Sequence, residues 1–223
     1  MTNKTVVITG ATGALGTLVA RTFSERGDNL ALLSHDQPKL ESLARELDVP
    51  ETRLFMQAAD LRNGVAVRSA AEAILKKFGS AHALIHLVGG WIGGRTIPET
   101  SKDDLDFMLN NHVHTTFNLF QAFSKPLAAN HWGRVIVISA STVQNPPGKS
   151  SAYTAAKAAQ ENLVLSLTAE LKGTGVTANI IQVKSIDVEN KGSGTTPAEI
   201  ASAILYLFSD EAAKVNGARI PLY

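Results

Sequence analysis

The chain has 223 residues, with 21 lysines and arginines against 20 aspartates and glutamates and no cysteine. A net charge of +1 offers no broad attraction to nucleic acid or an anionic membrane surface, and the lack of cysteine excludes disulfides, thiolate metal ligands and a cysteine nucleophile. The length favours one large domain, residues 1–223, over two. We expect a small-molecule ligand and, since signal-peptide features and a membrane-length apolar run are both lacking, a cytoplasmic protein.

Short β-branched or aliphatic runs alternate along the chain with longer helical patterns. The predicted strands are residues 5–9, 30–34, 53–57, 83–87, 134–139, 177–183 and 219–222. The predicted helices, with apolar residues three and four apart, are residues 14–26, 39–47, 65–78, 102–128, 152–171 and 197–208. This order predicts an α/β fold, a single doubly wound Rossmann-type domain with a mainly parallel seven-stranded sheet and helices on both faces.

A glycine-rich loop, TGATGALG at residues 9–16, follows the first predicted strand and opens the first predicted helix. Gly10, Gly13 and Gly16 allow a tight turn, close approach of a pyrophosphate to the backbone, and packing of helix on strand. The helix start adds unpaired amides and the positive end of the helix dipole. The loop therefore predicts a dinucleotide-binding site, and a strand-to-helix turn without a ligand is the alternative.

Tyr153 and Lys157 lie four residues apart in a predicted helix. Their side chains therefore leave the helix on one face. A nearby ammonium favours the tyrosinate, so we expect it to lower the pKa of Tyr153 and allow proton exchange with a carbonyl oxygen. The alternative is an ordinary amphipathic helix.

These motifs resemble those of the short-chain dehydrogenase/reductase family, with its Thr-Gly-x-x-x-(Ala/Gly)-x-Gly loop and Tyr-x-x-x-Lys pair. The resemblance covers nearly the whole chain. It implies an NAD(P)-dependent oxidoreductase that transfers a hydride between the nicotinamide cofactor and a small carbonyl or alcohol substrate. Tyr153 would be the acid/base, and Lys157 would activate it and hold the nicotinamide ribose. Relatives commonly form dimers or tetramers, so a homodimer or homotetramer is expected.

The resemblance also implies a set of cofactor contacts. Asp60 matches the family's acidic residue near the adenine, with helix capping as the alternative, and Leu61 lies beside it. Gly89 matches the glycine of the Asn-Asn-Ala-Gly motif, although His86, Leu87 and Val88 replace the residues before it. The full predicted set is Gly10, Thr12, Gly13, Leu15, Gly16, Ser34, His35, Asp60, Leu61, Val88, Gly89, Tyr153, Lys157, Val183 and Ile186.

The choice of cofactor depends on the end of the second strand. A carboxylate there binds the ribose 2′-hydroxyl of NAD and repels the 2′-phosphate of NADP. This chain has Ser34 followed by His35, which favours NADP(H), with NAD(H) as the alternative. A shift of register by one or two residues would place Asp36 at that position and reverse the interpretation.

The family's substrate-orienting serine lies thirteen residues before the tyrosine, where this chain has Ala140. Consecutive strand residues face opposite sides, so neither neighbouring serine replaces Ala140 directly. Ser141 is the preferred substitute because it lies past the strand end, where backbone direction is less fixed, and Ser139 is the second choice. The serines at 150 and 151 lie near a helix start and are expected to cap it.

His112 falls where the family has an asparagine that serves a proton relay. An imidazole is able to shuttle protons, and a packing role is the alternative. His112 and His114 lie two apart on a helix and face different directions, so no metal site is predicted.

Two further segments concern the substrate. The segment GGWIGG, residues 89–94, resembles one in dihydropteridine reductases, and Trp91 would either cover a flat substrate or plug the loop. The short polar segment 185–196 replaces a longer substrate lid and is expected to leave the pocket open or to order with a ligand or partner subunit. A dihydropteridine-reductase-like enzyme and a non-catalytic dinucleotide sensor or scaffold are the alternative functions.

Overall fold

A seven-stranded sheet runs through the computed structural model, which describes residues 3–223. The strands are β1 Thr5–Thr9, β2 Asn29–Ser34, β3 Leu54–Ala58, β4 Ala83–His86, β5 Gly133–Ala140, β6 Val176–Val183 and β7 Arg219–Pro221. Their order is β3-β2-β1-β4-β5-β6-β7, and every neighbouring pair is parallel. The predicted doubly wound α/β fold is confirmed. Residues 1 and 2, where the predicted domain and the segment without signal-peptide features begin, lie outside the described residues.

Helices connect the strands on both faces of the sheet. They are α1 Ala14–Glu25, α2 Gln37–Leu47, α3 Gly64–Phe78, α4 Lys102–Leu109, α5 Thr115–Ala129, α6 Ser151–Glu170 and α7 Pro197–Phe208. Three short 3₁₀ turns, Glu51–Arg53, Ile97–Glu99 and Ser141–Val143, lie in connections. Every predicted helix is present to within two residues at each end, except that the predicted helix 102–128 is divided. Among the described residues, no helix is both long and apolar enough to cross a membrane.

The division is a π-helical stretch, Asn110–His114, which joins α4 to α5 and is called the π segment below. Such a stretch inserts one extra residue per turn and displaces backbone hydrogen bonds. The hydroxyls of Thr115 and Thr116 donate to the carbonyls of Asn111 and His112, each at 2.6 Å. Because apolar periodicity continues through a single wide turn, the sequence pattern alone predicts one unbroken helix.

Both faces of the inner strands β1, β4, β5 and β6 are buried, as expected for parallel strands covered by helices, whereas the edge strands β3 and β7 are partly exposed. Side chains alternate along β5, so that Ile136 packs with α1 and α7 while Val135 and Val137 pack with α3, α5 and α6. Since the strands are parallel, their carboxyl ends lie along one edge. The chain adds β2 and β3 on one side of β1 and then β4 to β7 on the other side. In sheets of this kind, ligands bind at the crevice that such a reversal creates.

Candidate active site

Two of the three loop glycines are required by the packing of the chain itself. Gly10 has a φ of +69°, and a Cβ on it would lie 3.1 Å from backbone atoms of Leu87 and Val88. A Cβ on Gly16 would lie 2.2 Å from the carbonyl oxygen of Gly10. These two residues allow the tight turn and the close packing of α1 against the end of β1. They would be glycines whether or not a ligand binds.

Gly13 is different, because nothing within the chain demands a glycine there. It has an ordinary φ of −77°, it is exposed, and a Cβ would meet only the Gly10 oxygen, at 3.4 Å. Gly13 precedes α1, which begins with no side-chain cap and no acidic residue in its first turn. The missing side chain leaves the amides at the start of the helix open to an anionic group. This arrangement fits the pyrophosphate of a dinucleotide.

The end of β2 keeps the predicted register. Ser34 is the last residue of the strand, and its buried hydroxyl is hydrogen-bonded to that of Thr12 at 2.7 Å. His35 follows and is exposed. Asp36 caps α2 by accepting from the amide of Lys39 at 3.0 Å, and this hydrogen bond holds the pKa of Asp36 below its usual value. The Asp36 carboxylate is thus engaged by its own helix.

Asp60 lies past β3 and is held by a residue that the sequence analysis missed. The guanidinium of Arg62 donates to its two carboxylate oxygens at 2.8 and 2.9 Å, and this pairing lowers the pKa of Asp60. Leu61 is buried beside it. Asn63, not Asp60, caps α3, so the capping alternative for Asp60 is wrong. In the sequence, only the position of Arg62, two residues after Asp60, indicates this ion pair.

His86, the last residue of β4, is a second functional candidate that sequence reasoning missed. Its Nδ1 lies 2.7 Å from the Thr9 hydroxyl and its Nε2 lies 3.4 Å from that of Thr115. Because Thr115 already donates to Asn111, it accepts from Nε2–H, and Thr9 donates to Nδ1. Complete burial, with the charge of Lys157, lowers the pKa of His86 to about 3. The ring is therefore neutral at neutral pH.

His112 lies in the π segment and is fully buried. Its Nε2 donates to the carbonyl of Gly90 at 3.0 Å, and its ring meets that of Tyr153 edge-on with centroids 5.7 Å apart. Burial lowers the pKa of His112 to about 3. Its Nδ1 has no partner within the described chain. A neutral ring with a free acceptor next to the tyrosine is suited to accept a hydrogen bond, whereas protonation at neutral pH is disfavoured.

Tyr153 and Lys157 occupy one side of the first two turns of α6. The buried Lys157 amine donates to the carbonyl of Ile138 in β5 at 2.8 Å and to the side-chain oxygen of Gln160 at 2.9 Å. Burial lowers the pKa of Lys157 to about 7. Burial also raises the pKa of the half-buried Tyr153, so the expected lowering of that pKa is wrong for the chain by itself. Desolvation of the phenol outweighs any effect of the lysine.

The serines near the end of β5 differ in their settings. Ala140 is the last residue of the strand and is buried. Ser139 is 1% exposed, faces the same side of the sheet as Val137, and its hydroxyl has no partner within the described chain. Ser141 begins the following 3₁₀ turn and is half-buried. As predicted, it lies past the strand end, where backbone direction is free of the sheet register.

The expected capping of α6 by serine hydroxyls is wrong. Ser150 occupies the capping position, but the helix has no side-chain cap. The Ser150 hydroxyl instead donates to the carbonyl of Pro147 at 2.8 Å, which closes the turn before the helix. Ser151 is the first residue of the helix proper.

Trp91 presents a flat surface on the glycine-rich loop after β4. Its side chain is 63% exposed, and its ring lies over Gly93, where a Cβ would come within 2.5 Å of it. The amide of Gly94 donates to the carbonyl of Lys149 at 2.7 Å, which ties the loop to the segment before α6. A ring this exposed is not a hydrophobic plug, so the plug alternative is wrong.

The segment after β6 is folded around Asp187, which is 5% exposed. Its carboxylate accepts from the amides of Lys191 and Ser193 at 3.0 and 3.1 Å, and backbone amides, first that of Lys191, lower the pKa of Asp187. Ile186 pairs with Thr195 in a single bridge. Contacts within the chain therefore hold this loop, so the alternative that it orders only with a ligand or a partner subunit is wrong, and the alternative of an open pocket stays a prediction.

The residues predicted to contact the cofactor all lie at the carboxyl edge of the sheet. The glycine loop follows β1, and the other predicted contacts end or follow β2, β3, β4 and β6 or lie on α6 after β5. Val88 is half-buried and Gly89 exposed after β4, while Val183 ends β6 and Ile186 is 39% exposed. In the described part of the chain there is no cluster of three or more metal-ligating side chains.

Comparison with known proteins identifies the family. The family model described as "short chain dehydrogenase" matches residues 4–197. The chain belongs to the short-chain dehydrogenase/reductase family. Oxidoreductase UcpA of Escherichia coli K12 is 33% identical over 183 residues, which cover 81% of this chain and 68% of UcpA. D-threitol dehydrogenase of Mycolicibacterium smegmatis is 26% identical over 235 residues, covering 96% of this chain and 89% of that enzyme.

The solved structures agree on the fold. The structure titled as an NAD⁺-bound xylitol dehydrogenase superimposes with a TM-score of 0.89 at 20% identity, covering 98% of this chain and 97% of the other. Membership of the family makes this short-chain dehydrogenase/reductase a nicotinamide-dependent oxidoreductase. The comparisons do not favour the non-catalytic alternative, and the likeness to dihydropteridine reductases stays a prediction.

The two neutral histidines predict acid sensitivity. The folded chain binds a proton at His86 or His112 only near pH 3, but the unfolded chain does so near 6.5. Since the unfolded state binds more protons between these values, the free energy of unfolding falls as the pH is lowered through this window. The fall is about 1.4 kcal/mol per pH unit for each histidine.

Urea denaturation at pH 5.5 and 4.5 measures this difference. His86→Gln or His112→Gln should each reduce it by about 1.4 kcal/mol. His114→Gln, which changes an exposed residue of the same segment, is the matched control. Equal differences in all four proteins would contradict the assignment of neutral buried rings.

Proposed function

We propose that this short-chain dehydrogenase/reductase transfers a hydride between NADP(H) and a small carbonyl or alcohol, with residues 1–223 acting as one cofactor-binding unit. Tyr153 is the acid/base, Lys157 activates it, and Ser141 orients the substrate. The observation that carries the proposal is the pair of hydrogen bonds from the Lys157 amine to Ile138 and Gln160, called the clamp below. A buried amine that bridges the catalytic helix and the end of β5 has no purely structural need for a lysine, because an apolar side chain of similar volume would avoid its desolvation.

The clamp determines what Lys157 is able to do. Two of the three hydrogen-bonding directions of its ammonium are taken by Ile138 and Gln160. The third is available for a cofactor ribose hydroxyl or the tyrosine. With a pKa of about 7, a large fraction of Lys157 carries a proton at neutral pH, and its charge stabilises a neighbouring tyrosinate.

The reaction follows from these groups. The bound nicotinamide supplies or accepts the hydride. As negative charge grows on the substrate oxygen, the Tyr153 hydroxyl donates its proton to that oxygen, and Lys157 stabilises the phenolate that remains. In the alcohol-oxidising direction the phenolate takes the proton back. Because burial raises the pKa of Tyr153, the tyrosine starts carbonyl reduction fully protonated, as a proton donor must be.

The cofactor preference rests on the charges near the end of β2. Ser34 is uncharged, His35 is exposed beside it, and the carboxylate of Asp36 is engaged with Lys39. These features favour NADP(H) over NAD(H), for which a free carboxylate would be expected. The glycine loop would hold the pyrophosphate through the amides after Gly13.

The substrate side favours a small, flat or extended molecule. Trp91 offers an exposed aromatic face on the loop that His112 anchors through Gly90. The folded loop around Asp187 borders the same edge of the sheet. We further propose assembly into a homodimer or homotetramer, since relatives assemble and Phe107 and Phe117 are exposed on α4 and α5.

Tyr153→Phe should abolish turnover and spare cofactor binding. The variant loses only the transferable proton, so kcat should fall by about 100-fold or more while the Kd for NADPH stays within about twofold. Stopped-flow assays over a panel of small aldehydes, ketones and a quinonoid pterin measure kcat, and quenching of tryptophan fluorescence measures binding. Undiminished turnover in Tyr153→Phe would overturn the proposed role.

Ser141→Ala should lower kcat for carbonyl reduction by about 100-fold, the usual effect of removing one donor to the substrate oxygen. Ser139→Ala tests the second candidate, whose buried hydroxyl has no partner in the described chain, and should keep full activity. Full activity in Ser141→Ala together with loss in Ser139→Ala would assign the role to Ser139 instead. Full activity in both variants would mean that the enzyme works without a serine hydroxyl.

His35→Asp should weaken the preference for NADPH. The change removes a potential cation and places a carboxylate one residue past the position of Ser34, where it repels a 2′-phosphate, so the KM for NADPH should rise by about 10-fold or more while that for NADH changes little. His131→Asp makes the same change at an exposed residue beside the opposite end of β5 and should alter neither KM. An unchanged ratio of the two KM values in His35→Asp would contradict the assignment of NADP.

A further inference from the structure

Gln160 lies one turn past Lys157 on α6 and is completely buried. Its side-chain oxygen accepts from the Lys157 amine at 2.9 Å, and its nitrogen donates to the hydroxyl of Thr116 at 2.9 Å. Thr116 in turn donates to the carbonyl of His112 at 2.6 Å. A continuous hydrogen-bonded chain therefore runs from the catalytic lysine to the backbone of the π segment.

The direction of this chain is fixed by its far end. Thr116 has one hydroxyl proton, and it is used toward His112, so the Thr116 oxygen faces Gln160 as an acceptor. The Gln160 amide must then point its nitrogen at Thr116 and its oxygen at Lys157. In a flipped amide, the Gln160 nitrogen would face the Lys157 amine, donor against donor, and the Gln160 oxygen would face the Thr116 oxygen, acceptor against acceptor. The π segment thereby dictates that an acceptor faces the amine.

We propose that Gln160 is a positioning residue for the reaction: it holds the Lys157 amine in place and couples its orientation to the π segment that carries His112. The inference rests on the proposed role of Lys157. The same segment sets both members of the reactive pair, because the His112 ring packs against Tyr153. A shift of the π segment would reach the tyrosine through this ring and the lysine through Gln160.

The charged and titratable groups around Lys157 show what Gln160 contributes. On α6 they are Tyr153 and Glu161, whose buried carboxylate is paired with Arg219. His86 from β4 and His112 from the π segment are neutral at neutral pH. The remaining polar groups are the Ile138 carbonyl of β5, which accepts from Lys157, and the Thr116 hydroxyl of α5, which accepts from Gln160. Gln160 thus supplies one of two neutral acceptors that offset the desolvation of the ammonium.

Isosteric variants separate positioning from simple core filling. Gln160→Met keeps the volume and removes the acceptor, so the pKa of Lys157 should fall by about 1, and kcat should fall by about 10-fold or more with the KM for the carbonyl little changed. Gln160→Glu keeps an acceptor and adds charge, so the pKa of Lys157 should rise by about 1 or more. If Gln160 merely fills the core, the two variants should leave the pKa of Lys157 unchanged or shift it in the same direction.

The pKa of Lys157 is measured directly in the cofactor-free chain. The protein is labelled with ¹³C at lysine Cε, the Lys157 signal is assigned by its loss in Lys157→Gln, and its chemical shift is followed from pH 5 to 11. Thr116→Val should lower the pKa in the same direction as Gln160→Met, by a smaller amount. Thr168→Val removes another half-buried hydroxyl, farther along α6, and should leave the Lys157 titration unchanged. If Gln160→Met does not fold, Gln160→Glu and Thr116→Val decide the outcome.

A Lys157 titration and kcat equal to those of the unmodified chain in the Gln160 variants would overturn the inference. Tyr153→Phe distinguishes this failure from failure of the proposed function. If Tyr153→Phe is inactive and the Gln160 variants behave as the unmodified chain, the function stands and Gln160 has no positioning role. If Tyr153→Phe keeps its turnover, the proposed function fails, whatever the NMR titration gives.

Discussion

The hydrogen bond from the Lys157 amine to the carbonyl of Ile138 is the contact on which the site depends. It joins the first turns of α6 to the end of β5 between two buried residues, at a distance of 2.8 Å. An ammonium in such a place is costly unless every donor finds an acceptor. The described chain supplies two such acceptors, the Ile138 carbonyl and the Gln160 side-chain oxygen, and leaves the third donor direction open. The outcome is a lysine whose pKa lies near 7, where small changes in surroundings alter its charge.

The glycines of the loop after β1 fall into two groups, those that the fold requires and one that suits a ligand. Gly10 and Gly16 serve the fold, because side chains there would collide with backbone. Gly13 serves no such need, and its open position beside the uncapped start of α1 is the part of the loop that suits an anion. Gly13 is therefore the glycine of this motif that indicates a ligand. This difference also explains why such a motif is weak evidence when its glycines are merely counted.

Most of the fold, and the pairing of Tyr153 with Lys157, could be predicted from the sequence because both depend on local periodicity. Four residues along a helix bring two side chains together whatever the rest of the chain does. The environment of that pair could not be predicted. The partner of Gln160 lies 44 residues away and that of His86 lies 77 residues away, so no local pattern reveals either contact. The pKa of Tyr153 was predicted in the wrong direction for the same reason, since burial is a property of the assembled chain.

The π segment shows a further limit of reading periodicity. One wide turn leaves the apolar pattern of α4 and α5 nearly intact, yet it redirects two backbone carbonyls toward threonine hydroxyls. His112 projects from this turn toward Tyr153 and anchors the loop of Trp91. A short irregularity thus connects the loop after β4 with Tyr153 of the proposed reactive pair, and π turns are common at functional sites.

The proposed function requires that this chain transfer a hydride from NADPH to a carbonyl carbon. Mass spectrometry tests it most directly, with NADPH deuterated at the transferable C4 position and a pooled set of small aldehydes and ketones. We expect the unmodified chain to form an alcohol that carries one deuterium on its carbinol carbon. NADPH that binds tightly and passes no deuterium to any carbonyl in a broad pool would contradict the proposed function.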